Sequence, residues 1–183
     1  ATHNLALIWA TRMLAFALPL IASVACYALW LRVDQYGWTP TRIAAALSAF
    51  IVVLYVLPVT LNGINASPGW QRRTRQGFVW ATIITSVLGA LWFTPVLNAQ
   101  RIASASQTAR LIDGRIEAQG YDFWPLAREW GVAGRAAMAT LRTHGFSQEV
   151  IVAMDGAETA DTRYASQQVA QSFTAAESWA ELL

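Results

Sequence analysis

Arg32-Val33-Asp34-Gln35-Tyr36-Gly37-Trp38-Thr39-Pro40-Thr41-Arg42 separates two long apolar runs, and its reading decides the fold. Asp34 is the only acidic residue before Asp113. Gly37 has the backbone freedom that a tight reversal needs. Thr39 suits a helix N-cap, Pro40 the first helical position and Arg42 the first turn. The stretch therefore predicts a short polar connector between two antiparallel helices.

Three apolar runs flank or follow it: Leu5–Leu31, Ile43–Leu61 and Phe78–Leu97. About 20 apolar residues cross a hydrocarbon core as helix, and a helix is the form that satisfies its own backbone groups in lipid. Arg12 is costly at a bilayer centre and cheap at its edge, so the first span is placed at 13–31, with Trp9 and Arg12 at one interface. Tyr27, Trp30, Tyr36 and Trp38 then form an aromatic belt at the other interface. The expected fold is all-α: an integral membrane protein with three transmembrane helices (13–31, 43–61 and 78–97, within a region 1–97), followed by a small helical extramembrane region over 98–183.

Composition agrees. Of 183 residues 55% are hydrophobic and 13% charged, about half the charged fraction of an ordinary soluble domain. Mean hydropathy is +0.35 and the pI about 9.0. Residues 1–97 hold six arginines against one acid, whereas 98–183 hold seven arginines against ten acids. The basic pI belongs to the membrane part and does not indicate nucleic-acid binding. The implied partner is the lipid bilayer.

Within the spans, Pro19 and Pro58 are expected to kink or end their helices. Ala44/Ser48, Ala45/Ala49 and the stripe Ala81, Thr85, Gly89 place small residues four apart. That spacing admits a close helix from the same chain, a membrane-protein partner or a second copy. Arg72, Arg73 and Arg75 lie in one loop with no acid, so the positive-inside rule puts that loop and the N-terminus in the cytoplasm. The 32–42 connector and the C-terminal region then face the opposite side, the periplasm. Asn65-Ala66-Ser67 is read as a chance glycosylation sequon on the cytoplasmic side. Cys26 is the single cysteine, mid-span, and is read as a small lipid- or helix-facing residue. The chain has neither an initiator Met nor a cleavable leader pattern, and is expected to be a fragment of a longer protein.

Beyond Leu97, Ile102, Ala105, Ala109, Ile112 and Ile116 repeat at three-four spacing. This predicts that the third helix continues as an amphipathic stem to about Glu117. Asp122 is expected to cap a helix containing Trp124, Pro125 and Leu126. Ala136–His144 should be a helix with Met138 and Leu141 inward and Gly145 as its stop. Short helices are expected at Ser147–Met154 and within Tyr164–Leu183, and Ala157–Arg163 is polar.

The 32–42 motif between two apolar spans resembles the bacterial membrane family DUF4153 (domain of unknown function 4153). Its members carry a similar Arg, acid, Tyr-Gly, Thr, Arg pattern late in a many-span chain. Ser104–Leu111, Tyr121-Asp122-Phe123 with Leu126, and the Gly131–Arg135 turn are similar to the region after the family's last spans. The resemblance covers roughly residues 10–145. It implies a multi-pass protein of a bacterial inner membrane and brings no established activity, and the absence of the family's earlier spans fits a C-terminal fragment.

Chemistry is sparse. The spans contain no Asp, Glu, His or Lys, which argues against a self-contained pump or intramembrane metalloprotease. Ser23, Ser48 and Ser86 have no intramembrane His partner. His144 is expected at a helix end rather than on a metal. Gly131–Arg135 follows no strand and lacks the Lys-Ser/Thr end of a phosphate loop. Asp113, Glu117 and Asp122 are expected to cap helices and pair with Arg110 and Arg115; only an arrangement facing the membrane in a pocket would make them a lipid-linked catalytic group. No catalytic, cofactor-binding or metal residue is assigned. Asp34, Gln35, Tyr36, Gly37, Thr39 and Arg42 are the candidate recognition or structural loop. As a plain connector, they put Tyr36 at the interface and Asp34 against Arg32 or Arg42. As a site, they face a lipid headgroup, an envelope component or a partner subunit. The expected function is a non-enzymatic scaffold, sensor or partner-binding subunit. The alternative is the C-terminal part of a transporter whose pathway lies in further spans.

Overall fold

The computed structural model describes residues 2–65, 69–94 and 97–180, and the described residues are helical with no strand. The order is α1 (Thr2–Tyr36), α2 (Pro40–Asn65), α3 (Trp70–Trp92), α4 (Ala99–Ile112), a π-helical turn (Pro125–Glu129), α5 (Gly131–Thr143), α6 (Gln148–Thr159) and α7 (Arg163–Ala180). The chain divides into two units, one of residues 1–36 and 41–98, the other of 37–40 and 99–183. The side chain of Arg12 and the segment Ala66–Pro68, and with them the expected interface arginine and sequon, lie outside the described residues.

In the first unit the connector is shorter than the sequence implies. Helix α1 runs on through Arg32–Tyr36, leaving only Gly37, Trp38 and Thr39 between α1 and α2. Gly37, at φ +73°, ends α1 in the left-handed conformation that closes helices. Pro19 and Pro58 end nothing: both sit inside continuous helices. Thr60 in α2 places its hydroxyl 3.4 Å from the Ala15 carbonyl of α1. Ala15 and Thr60 stand almost equally far along the chain from the turn, so α1 and α2 run antiparallel.

Two helices, Met13–Tyr36 and Pro40–Asn62, are long and apolar enough to cross a membrane; the expected third span is not among them. Helix α3 begins at Trp70, so its first turns carry Arg72, Arg73 and Arg75, and it ends at Trp92. Pro95 disfavours helix in the residue before it. The uninterrupted apolar helical part, Phe78–Trp92, is 15 residues, about 22 Å at 1.5 Å per residue against a core of about 30 Å.

Close packing of α2 on α3 occurs at Gly77, where an added Cβ would lie 2.5 Å from Pro58 Cβ. The Tyr55 ring lies tilted against Phe78 with centroids 6.0 Å apart and puts its hydroxyl 3.1 Å from Thr82 Oγ1. Of the expected small-residue stripes, Ala81 is buried, while Ala45 and Gly89 are exposed. Gly89 has open space where a Cβ would point.

The second unit has an ordinary hydrophobic core. Leu126, Met138, Leu141 and Met154 are its largest fully buried side chains, and Phe123, Trp130 and Val150 join them. Gly134 lets α5 press against the preceding π-helical turn, since a Cβ there would fall 2.1 Å from the Leu126 carbonyl oxygen. Met138 and Leu141 point inward as expected, and Gly145, at φ +82°, follows the end of α5. Arg128 donates to the Glu158 and Ala160 carbonyls at 2.6 and 3.0 Å, capping α6 with a cation where the helix dipole favours one. Arg142 forks between Asp155 (2.6 Å) and Glu158 (2.9 Å).

The expected stem is corrected in two respects. Helix is interrupted between Trp92 and Ala99, and α4 stops at Ile112 ahead of Gly114, at φ +68°. The buried face of α4 is also the opposite one: Ala103, Ser104, Gln107 and Leu111 are buried, whereas Ile102 and Ile112 are 40% and 36% exposed. The physical reason is the hydrogen bonding of Ser106 and Gln107 described next.

Candidate functional site

The residues at the turn fall into two groups. Gly37, Trp38 and Thr39 belong to the second unit, seated on α4. The Trp38 N–H donates to Ser106 Oγ (3.2 Å), and Gln107 Nε2 donates to the Trp38 carbonyl (3.0 Å). Gln107 is 4% exposed. A buried amide is stable only when bonded, so this pair fixes which face α4 turns inward. A Cβ on Gly37 would meet Arg110 Cδ at 2.7 Å and Gln107 Nε2 at 3.0 Å, so any other residue needs these side chains to shift as well as a strained φ. In the first unit, the Arg42 guanidinium lies 5.3 Å from the Tyr36 ring centroid, a cation–π pair. Asp34, Gln35 and Tyr36 are exposed on the last turns of α1, and α2 starts at Pro40 as the Thr39-Pro40 pair predicts. The turn is thus a clasp between distant sequence positions that leaves polar groups exposed beside it.

A second arrangement, unforeseen from sequence, lies wholly in the C-terminal unit. A cleft of about 640 Å³, partly open, is bounded by the segment 118–123, α6 and α7, within the usual range for small-molecule sites. It is lined by Ala118, Gln119 and Tyr121 on the wall of that segment, by Val150, Ala153 and Ala157 on the floor of α6, and by Gln167 and Gln171 of α7. Gln167 and Gln171 are four apart and share one helix face.

The walls are held in place by specific contacts. Gln119 Nε2 donates to Glu149 Oε2 at 2.9 Å. Tyr121 meets Phe123 edge-on with centroids 4.9 Å apart. Asp122 accepts the Trp124 N–H at 3.1 Å, just ahead of the π-helical turn, whose N-cap is Trp124 rather than the expected Asp122. Its other carboxylate oxygen takes Arg163 Nε at 2.8 Å and a second guanidinium nitrogen, a fork that ties the start of α7 to the 118–123 segment. Asp122 is therefore paired with Arg163 rather than with Arg110 or Arg115, while Arg115 pairs with Asp113 at 3.4 Å. Hydrogen bonding to Asp122 raises the Arg163 pKa. Burial, aided by the Asp122 charge, pushes the Tyr121 phenol up to about 12, so it stays a neutral donor and acceptor. Gly156 brings α7 down on α6, since a Cβ there would be 3.2 Å from Val169 Cγ1.

His144 is exposed at the C-cap of α5, its ring 5.2 Å from Phe146. Among the described residues no group of three or more His, Cys, Asp or Glu side chains is placed to hold a metal ion. The cleft is not legible in the sequence because glutamine is weakly informative there. The Gln167/Gln171 spacing is its one visible trace, and it matches any solvated helix face.

The family model of DUF4153, a domain of unknown function, matches residues 1–132. The chain belongs to DUF4153. No curated protein and no solved structure matches it. The DUF4153 match covers α1–α4 and the seated turn, and takes in the 118–123 wall of the cleft, while α6 and α7 lie beyond it.

Proposed function

We propose that this DUF4153 chain is a multi-pass bacterial inner-membrane protein that acts without catalysis, as a sensor or partner-binding subunit with a periplasmic C-terminal domain. One observation carries the membrane reading: the first unit is packed inside out relative to a soluble protein. Small Ala15 and Ala81 are 1% and 2% exposed there, whereas Leu20, Ile21 and Trp80 are 68%, 66% and 66% exposed. Such a surface suits hydrocarbon, not water. Ser23, Ser48, Thr60, Thr74, Thr82 and Ser86 each donate to the carbonyl four residues back, one way in which a hydroxyl in lipid finds a partner, although Thr140 and Thr159 do the same in the second unit.

Helix α3 is the third membrane helix in this reading, although its apolar part is only about 22 Å long; snorkelling of its flanking arginines and local thinning of the bilayer make up the difference. Val79, Trp80, Ile83 and Val87 face outward, and Arg72, Arg73 and Arg75 reach cytoplasmic headgroups from its first turns. Asp34, Gln35, Tyr36 and Arg42 then form a periplasmic rim that recognises a headgroup or partner subunit. Alanine at Asp34 or Arg42 abolishes function while leaving insertion and thermal stability intact; equal loss of stability sinks that role.

Alkaline extraction of membranes and an impermeant maleimide test the placement. The protein should stay in the pellet. Ser147→Cys in a Cys26→Ala background should label on intact spheroplasts. Release into the supernatant rejects the membrane reading, and labelling only after permeabilisation rejects the periplasmic one.

A further inference from the structure

We infer that the cleft between segment 118–123, α6 and α7 binds a neutral saccharide, so that the C-terminal domain is a carbohydrate-recognition module. The inference deepens the sensor reading above and rests on it. Three features of the walls select the ligand. The polar groups are mainly amides and a phenol: Gln119, Gln167, Gln171 and Tyr121. Each both donates and accepts, which matches a ring of hydroxyls that do the same. A charged ligand is poorly served. No arginine lines the cleft among the described residues, the chain has no lysine, and the Arg163 guanidinium beside it is held on Asp122, so phosphate and carboxylate are given no cation within the cleft. Glu149 and Asp122 add negative potential that disfavours anions further. Both carboxylates are already engaged, by Gln119 and Arg163, which fits them to positioning walls rather than to pairing with an incoming cation.

The floor completes the match. Val150, Ala153 and Ala157 offer a small apolar surface beside Phe123 and the Tyr121 ring. A pyranose has an apolar C–H face and an equatorial fringe of hydroxyls, so it is amphipathic in the same sense as the cleft. Sites that combine an apolar floor with a few convergent polar groups orient small ligands in this way. The Asp122–Arg163 fork and the Gly156 approach hold the walls before any ligand arrives, which lowers the ordering cost of binding.

The test uses the full chain in lipid nanodiscs, prepared without sugar-based detergent. Saturation-transfer NMR reads binding of neutral mono- to tetrasaccharides, with spermidine and a sugar phosphate as charged comparisons. The expected result is transfer to ring protons of at least one neutral saccharide. Gln167→Ala with Gln171→Ala should weaken it at least tenfold, and Ala153→Trp, which fills the floor, should abolish it, with unchanged helical circular dichroism. Binding unaffected by Ala153→Trp overturns the assignment, as does preference for spermidine or the sugar phosphate, or no saturable neutral ligand at millimolar concentration. Co-elution of the chain with the nanodisc lipid reports the membrane reading separately in the same sample.

Discussion

Gln107 and Trp38 are 69 residues apart in sequence, and the Gln107 amide donates to the Trp38 carbonyl at 3.0 Å. With Ser106 receiving the Trp38 N–H, α4 satisfies both backbone groups of the residue at the centre of the α1–α2 turn. A backbone carbonyl left unmet in a buried place costs about 1–3 kcal/mol. Gln107→Ala should lower Tm by several degrees, at about 2–4 °C per kcal/mol for a chain of this size. Hydrogen exchange at residues 37–40 should quicken in the same variant. An unchanged melting curve with unchanged exchange would show that the clasp carries no stability.

Gly37→Ala attacks the clasp from the other side. A left-handed φ costs a non-glycine residue about 1 kcal/mol, and the added Cβ meets Arg110 Cδ at 2.7 Å. Arg110 is flexible and can yield, so the expected total is about 1–3 kcal/mol rather than a failure to fold. Gly69 shares the positive φ but faces open space, so Gly69→Ala should cost only the backbone part. Equal losses from the two variants would remove any role for packing at Gly37.

Much of this architecture is legible in the sequence. The Gly37 and Thr39-Pro40 signals locate a turn, and Gly145 locates the end of α5, because local backbone chemistry decides both. The inward face of α4 is not legible. Ile102, Ala105, Ala109 and Ile112 show the apolar period of a buried face, yet Ser104 and Gln107 are buried, because the partner of Gln107 is a distant carbonyl that periodicity does not register. The length of the third apolar run misleads for a similar reason: it extends in sequence to Leu97, whereas the helix stops at Trp92 ahead of Pro95. The cleft depends on three segments meeting, and no local pattern of Gln119, Gln167 and Gln171 announces that.

Gly77 and Gly89 separate sequence pattern from contact within α3. The four-residue spacing of Ala81, Thr85 and Gly89 suggests close approach at Gly89, but the contact is Gly77 on the Pro58 ring. Gly77→Ala forces two rigid groups apart at 2.5 Å and should destabilise by about 1–3 kcal/mol, the cost of overpacking. Gly89→Ala should be neutral or stabilise by up to about 1 kcal/mol through helix propensity. Thermal aggregation in detergent reads both; a Gly89→Ala loss matching that of Gly77→Ala would restore the small-residue stripe as the interface.

Tyr121 gives the second unit an alkaline limit. Its phenol is raised from 10.0 to about 12, chiefly by burial, so the folded state holds the proton more tightly than the unfolded chain does. The stabilisation is fully present below pH 10 and is lost as pH rises from 10 towards 12. At most it amounts to about 2–3 kcal/mol, from roughly 1.4 kcal/mol for each tenfold gain in proton affinity. Tyr121→Phe keeps the ring against Phe123 and removes the ionising group. The difference in stability between wild type and variant should therefore be constant from pH 7 to 10 and swing in favour of the variant above pH 10. Chemical denaturation across that range, followed by circular dichroism, makes the comparison. Parallel curves to pH 12 would mean that the Tyr121 phenol ionises as freely in the folded chain as in water, and that the wall of the cleft it forms is wet rather than closed.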